Sequence, residues 1–266
     1  MQFWCAANGA AWTWTWRPYP GVWLFVVLLA LAVFRWNRAG TRRTFAATTP
    51  THPLFFGGLI VLWLALDWPI GALGAGYLAS VHMLQFLMVA LIAPPLLLRG
   101  IQPSALAMLG GEGWRARVFA RLTSPLLALS IFSATVLLTH LPAVVDGLMT
   151  SQIGSFVIDV LWLAAGLLFW WPVVLPCPEH PKFQAPLKMG YLVLGMMFSP
   201  VMFGLVGFLV YASTPLYGVF ELAPPLPGVS SQSDHQTAGA LMSVGGALIS
   251  FIGISVIFFR WSKDTA

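Results

Sequence analysis

Seven stretches of this chain are almost wholly apolar, and short polar clusters separate them. They run approximately over 20–34, 54–70, 77–98, 125–141, 153–175, 189–211 and 237–259. At 1.5 Å rise per residue, a helix of about 20 such residues spans a hydrocarbon core, so each is read as a membrane-crossing helix. The expected architecture is an all-α integral membrane protein, a single seven-transmembrane-helix bundle over residues 1–266. The first stretch is short, and Trp12, Trp14, Trp16 and Trp23 around its start are placed to anchor it at the interface. Trp170 and Trp171 read as an aromatic belt near the end of the fifth helix, where Pro172 is expected to break it.

Composition agrees with the pattern: only 8% of the residues are charged and 59% are hydrophobic. That excludes an ordinary soluble domain, in which about 25% of residues are charged. The formal net charge of +5 invites a nucleic-acid reading, but the cations are dispersed at helix ends. They orient the chain instead. Arg35, Arg38, Arg42 and Arg43 follow the first helix, Arg99, Arg115, Arg117 and Arg121 the third, Lys182 and Lys188 the fifth, and Arg260 and Lys263 the seventh. Only Arg17 falls on the other side, so the positive-inside rule puts the N-terminus outside and the C-terminus in the cytoplasm. No basic n-region with a small-residue cleavage site is present, so no cleavable leader is expected. The run GGEGWRARVFARL, residues 110–122, reads as an interfacial helix whose arginines meet lipid headgroups. The stretch 212–236, rich in Pro, Gly and Ser, reads as ordered turns or a lid. With Cys5 and Cys177 expected on opposite faces, no internal disulfide or zinc site follows.

Once the sides are assigned, the ionisable residues sort unevenly. His82, His140 and His235 fall in the outer half, with Asp67, Asp146, Asp159, Glu221 and Asp234. His82 lies about 7 Å below the start of the third helix, and Gln85 and Val89 continue its face. An ionisable group in the bilayer costs roughly 2.5–3.5 kcal/mol on insertion scales, so such residues face the bundle interior and pair or bind something. Imidazoles with carboxylates suit copper, zinc or iron, and a proton path uses the same residues. A histidine in a membrane helix also serves simply to hydrogen-bond a neighbouring helix. Asp67 before Trp68 and Pro69 reads as a helix stop, and Asp234 as the N-cap of the seventh helix. The scattered methionines read as packing residues.

Several motifs in order resemble the seven-helix CtaG family of bacterial cytochrome c oxidase assembly factors. They are HMLQ with APPLLLRG, THLP, GLLFWWPV, PCPEHP, STPLYG and SDHQTAGALM, and they cover the chain from about residue 65 onward. The resemblance implies a non-enzymatic, multi-pass protein of the bacterial inner (plasma) membrane, one that matures an oxidase by assisting copper delivery to its catalytic subunit. A periplasmic copper chaperone is an implied second partner. Nucleic acid is not. The metal-ligand set it suggests is His82, His140 and Asp234, to which Asp159 and His235 are added. Family members often carry a second His where this chain has Phe86, and a His in the fifth helix where it has Asp159. Two alternatives stay open: a haem-binding or redox membrane protein with His82 and His140 as axial ligands, and a metal-free docking subunit of an oxidase.

Overall fold

A computed structural model of the chain describes residues 2–44, 51–109, 113–175, 183–197 and 213–265. Among them the structure is all-helical. In order the helices are α1 (Pro20–Thr44), α2 (Pro53–Leu66), α3 (Ile70–Gly76), α4 (Ala79–Leu98), α5 (Pro103–Leu106), α6 (Trp114–Leu122), α7 (Pro125–Thr139), α8 (Pro142–Leu148), α9 (Gln152–Val174), α10 (Ala185–Met197) and α11 (Ser231–Thr265). Among the described residues α1, α4, α9 and α11 are each long and apolar enough to cross a membrane. The count rises to six if two bent pairs each form one span: α2 with α3, at 45°, and α6 with α7, at 66°. The expected sixth helix, 189–211, lies partly outside the described residues, as do Cys177 and His180.

Several helices differ from their sequence-based bounds for identifiable reasons. Helix α1 continues to Thr44 because its extension packs on α5, with Asn37 donating to the Gly100 carbonyl at 2.8 Å and accepting from Gln102 N–H at 3.0 Å. The second apolar stretch breaks at Asp67–Pro69 and resumes as α3, as expected where a residue precedes proline. Pro94 and Pro95 do not break α4. A π-helical segment over Leu87–Ile92 precedes them, and they occupy the opening turn of the α-helical piece that follows, where a missing N–H is least disruptive. Pro172 likewise sits within α9, close to its end at Val174. Trp170 and Trp171 are buried, not in a lipid-facing belt, and Trp171 meets Phe119 of α6 edge-on.

Helix α4 is the centre of the bundle. It packs against α2, α3, α9 and α11, and Met83, Val89, Ala90 and Ala93 are fully buried. Helix α9 also packs on α7, and α10 on α11. Close contact between α4 and α9 depends on Gly166, where a Cβ would lie 2.2 Å from the Ala90 carbonyl oxygen. The peripheral faces of α1 and α11 expose Leu24, Val27, Leu28, Leu31, Leu248, Phe251 and Ile252, as a lipid-facing surface requires. At the arginine-rich end, burial and then the charge of Arg260 lower the pKa of the Arg99 guanidinium from its ordinary value. Helix α6 buries none of its residues, and Arg115 lies over the exposed Trp114 ring at 5.5 Å.

The residues before α1 are not a loose tail. Phe3 and Trp4 donate their backbone N–H groups to Gln152 Oε1 at 2.7 and 3.3 Å, and Ala7 donates to the Met149 carbonyl at 2.9 Å. The indole of Trp4 packs edge-on against Phe25 and Phe156. Trp4 and Cys5 are buried at 1% and 3% exposure, so this segment forms part of the core at the amino-terminal end of the bundle.

Candidate functional site

The site lies at that same end and is assembled from α4, α7, α9, α11 and the segment before α11. His82 projects from the first turn of α4 into an apolar surround, its ring centroid 4.9 Å from Trp162 and 5.7 Å from Phe220. It is 2% exposed, and neither ring nitrogen makes a hydrogen bond of good geometry, though the ring interacts weakly with the Gly74 backbone. His140 caps the C-terminus of α7, fully buried, and stacks on the same Trp162 at 5.8 Å. Phe86 meets His140 edge-on at 5.1 Å, so the position where family members often carry a second histidine is here part of the aromatic wall.

The His140 tautomer follows from its partners. Nδ1 lies 2.7 Å from the Val136 carbonyl, which only accepts, so Nδ1 carries the hydrogen. Nε2 is then a bare lone pair, and it has no hydrogen-bond partner. An Nδ1–H held by a backbone carbonyl with Nε2 free is the arrangement that orients a ligating imidazole. Trp162 is fixed in turn by its indole N–H, which donates to Thr139 Oγ1 at 2.8 Å.

Asp159, His235 and Asp234 have other employment. The Asp159 carboxylate, inside α9, accepts from Trp4 Nε1 at 2.8 Å and Gln85 Nε2 at 3.1 Å. His235 Nδ1 donates to the Ser231 carbonyl at 2.9 Å, and its Nε2 accepts from Tyr217 N–H at 3.3 Å, so both nitrogens are engaged. Asp234 does not cap its own helix. Ser230 does that, accepting from Ser233 N–H. Asp234 reaches across to the N-terminus of α4, accepting from Ala79 N–H at 2.6 Å, Ser80 N–H at 3.2 Å and the Ser80 hydroxyl. The apolar Leu78 precedes α4 without a side-chain cap, so a carboxylate from α11 supplies the acceptor its first turn lacks. Asp234→Ala is expected to lower stability by about 1–3 kcal/mol, read as a fall in the thermal midpoint of the detergent-solubilised protein. An unchanged midpoint would contradict this cross-helix cap.

Residues 213–230 cover the site as an ordered lid. Tyr217 is fully buried and its hydroxyl donates to the His140 carbonyl at 3.0 Å, while Asp146 of α8 accepts from Val219 N–H at 2.9 Å. Phe220 lies between His82 and His235.

The five residues singled out in the sequence therefore share one end of the bundle but not one coordination sphere. His82 and His140 flank Trp162, His235 joins them through Phe220, and the two aspartates are held by hydrogen bonds. Among the described residues no three His, Cys, Asp or Glu side chains form a group that could hold a metal ion. Sequence reasoning missed Trp4, Trp162 and Tyr217, and it gave Cys5 no role. Only Tyr217 lies in a motif quoted above, STPLYG.

These features define a multi-span, all-helical membrane protein with a buried imidazole and aromatic cluster at one end. The chain matches the family model described as cytochrome c oxidase caa3 assembly factor (Caa3_CtaG) over residues 9–264, and it belongs to that family. It is thus a multi-pass protein of the bacterial inner membrane and, in general terms, a non-catalytic assembly factor for cytochrome oxidase. No curated protein and no solved structure matches it.

Proposed function

We propose that this chain assists copper insertion into the catalytic subunit of a cytochrome c oxidase, and that His82 and His140 offer imidazole nitrogens to copper in transit. The supporting observation is the three buried ring nitrogens without a hydrogen bond of good geometry, both of His82 and Nε2 of His140, around one tryptophan. Each unpaired buried polar group costs about 1–3 kcal/mol, and native proteins retain few of them without a use. Imidazole suits copper, and His140 is already in a ligand-ready tautomer. The cargo would come from a periplasmic copper chaperone, since the proposed topology has seven spans with the N-terminus and this site at the outer face. The haem alternative has less support, because Trp162 and Phe86 occupy the space beside the two rings that a porphyrin would need.

The test is complementation of a strain lacking this chain with His82→Ala or His140→Ala. Each variant is expected to accumulate normally, by immunoblot, while oxidase activity and oxidase copper in the membranes fall several-fold. Normal activity in both variants, with no copper on the purified wild-type chain, would overturn the copper reading and favour the metal-free docking subunit.

A further inference from the structure

Residues 2–8 lie outside the span matched to the family, yet they include some of the most buried side chains of the molecule. Backbone bonds to Gln152 and Met149, with the bond from Trp4 to Asp159, hold this segment in place, and Gly21 N–H donates to the Phe3 carbonyl at 3.0 Å. Cys5 is thereby positioned on a cavity of about 10 Å³ lined also by His82, Gln85, Met149, Ser155 and Asp159. A space of that size takes about one water-sized sphere, and so one ion.

The occupied and free donors around this cavity differ in kind. Asp159 is held by Trp4 and Gln85, and Ser155 Oγ–H is directed at the Met149 carbonyl at 3.4 Å. What remains is the Cys5 sulfur, which is directed at the Leu66 carbonyl at 3.3 Å and also meets the Tyr19 hydroxyl, the His82 imidazole, and Met149, which lines the cavity and whose backbone carbonyl is taken by Ala7 and Ser155. Thiolate, imidazole and thioether are soft or borderline donors, which select copper(I) over hard cations. Copper(I) is stable with two or three such ligands.

We propose that the amino-terminal segment supplies Cys5 as a thiolate ligand that, with His82 and Met149, holds one copper(I) ion in this cavity. The inference rests on the copper reading of His82 but assigns the ion a sulfur site of its own. Binding forms a Cys5 S–Cu bond and breaks the S–H bond, with one proton leaving to solvent and no change in oxidation state. Thiolate and copper(I) together carry no net charge, so loading adds none to a part of the bundle where an unpaired charge is costly.

The experiment is an anaerobic copper(I) titration of the purified full-length chain against a chromogenic competitor, with X-ray absorption at the copper edge. Wild type, Cys5→Ser, Cys177→Ser and His82→Ala are compared. One copper(I) per chain with sulfur in its first shell is expected. Cys5→Ser and His82→Ala should each weaken binding roughly tenfold or more, and Cys177→Ser should leave it unchanged. Wild-type affinity in Cys5→Ser would overturn the thiolate site and leave the histidine reading standing, whereas no copper on the wild-type chain would overturn both. If Cys5→Ser does not fold, the Cys177→Ser spectrum decides, because a sulfur-free first shell there overturns the proposal.

Discussion

Gly166→Val is expected to prevent the bundle from assembling in its native form, with loss of monodisperse protein on extraction. A Cβ at this position would stand 2.2 Å from the Ala90 oxygen and 2.8 Å from Pro94 Cγ. Neither obstacle is the end of a flexible side chain, so the clash is relieved only by moving α9 away from α4. The reason for the close approach is written in α4 itself. The carbonyl of Ala90 would normally accept from the residue four or five positions on, but those are Pro94 and Pro95, which have no N–H. That carbonyl has no N–H donor at either position, and α9 comes up against it where Gly166 carries no side chain. Overpacking a core costs about 1–3 kcal/mol, and a clash with backbone belongs at or above the upper end. Gly166→Ala should show a graded version, a lowered thermal midpoint with the protein still recoverable. If both variants melt as wild type does, α4 and α9 are not in the contact described.

Asp159→Ala should produce the second-largest change and a more informative one. It removes the acceptor of two buried donors, the Trp4 indole and the Gln85 amide. At about 1–3 kcal/mol for each orphaned donor, the loss is roughly 2–6 kcal/mol. It also removes a side-chain anchor of the amino-terminal segment, so Cys5 should become open to a maleimide in a Cys177→Ser background. The resting thiol is protected, because burial first, then the charges of Asp159 and Asp67, push its pKa up. Trp4→Phe should release the segment as well, while leaving only Asp159 short of a partner. A double-mutant cycle then measures the coupling of Trp4 and Asp159 across 155 residues of sequence. No rise in Cys5 labelling in either variant would show that the segment is held without this bond.

Much of this arrangement was legible in the residues. The apolar runs located α4, α7, α9 and α11, and the rarity of ionisable groups in a membrane core drew attention to His82, His140 and Asp159. The role of each was less legible, because it depends on which helices adjoin. Asp234 reads from its position as a cap of its own helix, yet it faces the start of α4, and nothing local to α11 says so. A double proline ordinarily breaks a helix, and the compensating π-helical turn over Leu87–Ile92 leaves no mark in hydropathy. The amino-terminal segment was the least legible. Its run of Ala, Asn and Trp has no helical or strand period, and residues near a terminus ordinarily fray. Its burial comes from Gln152 and Asp159, partners some 150 residues distant.

That tucked segment bears on how the protein is made. Trp4 and Cys5 leave the ribosome about 155 residues ahead of Asp159, before their pocket exists. They stay unpaired until α9 has been made, and only then can the segment dock. Docking of the segment is therefore a closing act of biogenesis, and a bulky fusion at the amino terminus would hold that door open where one at the carboxyl terminus would not.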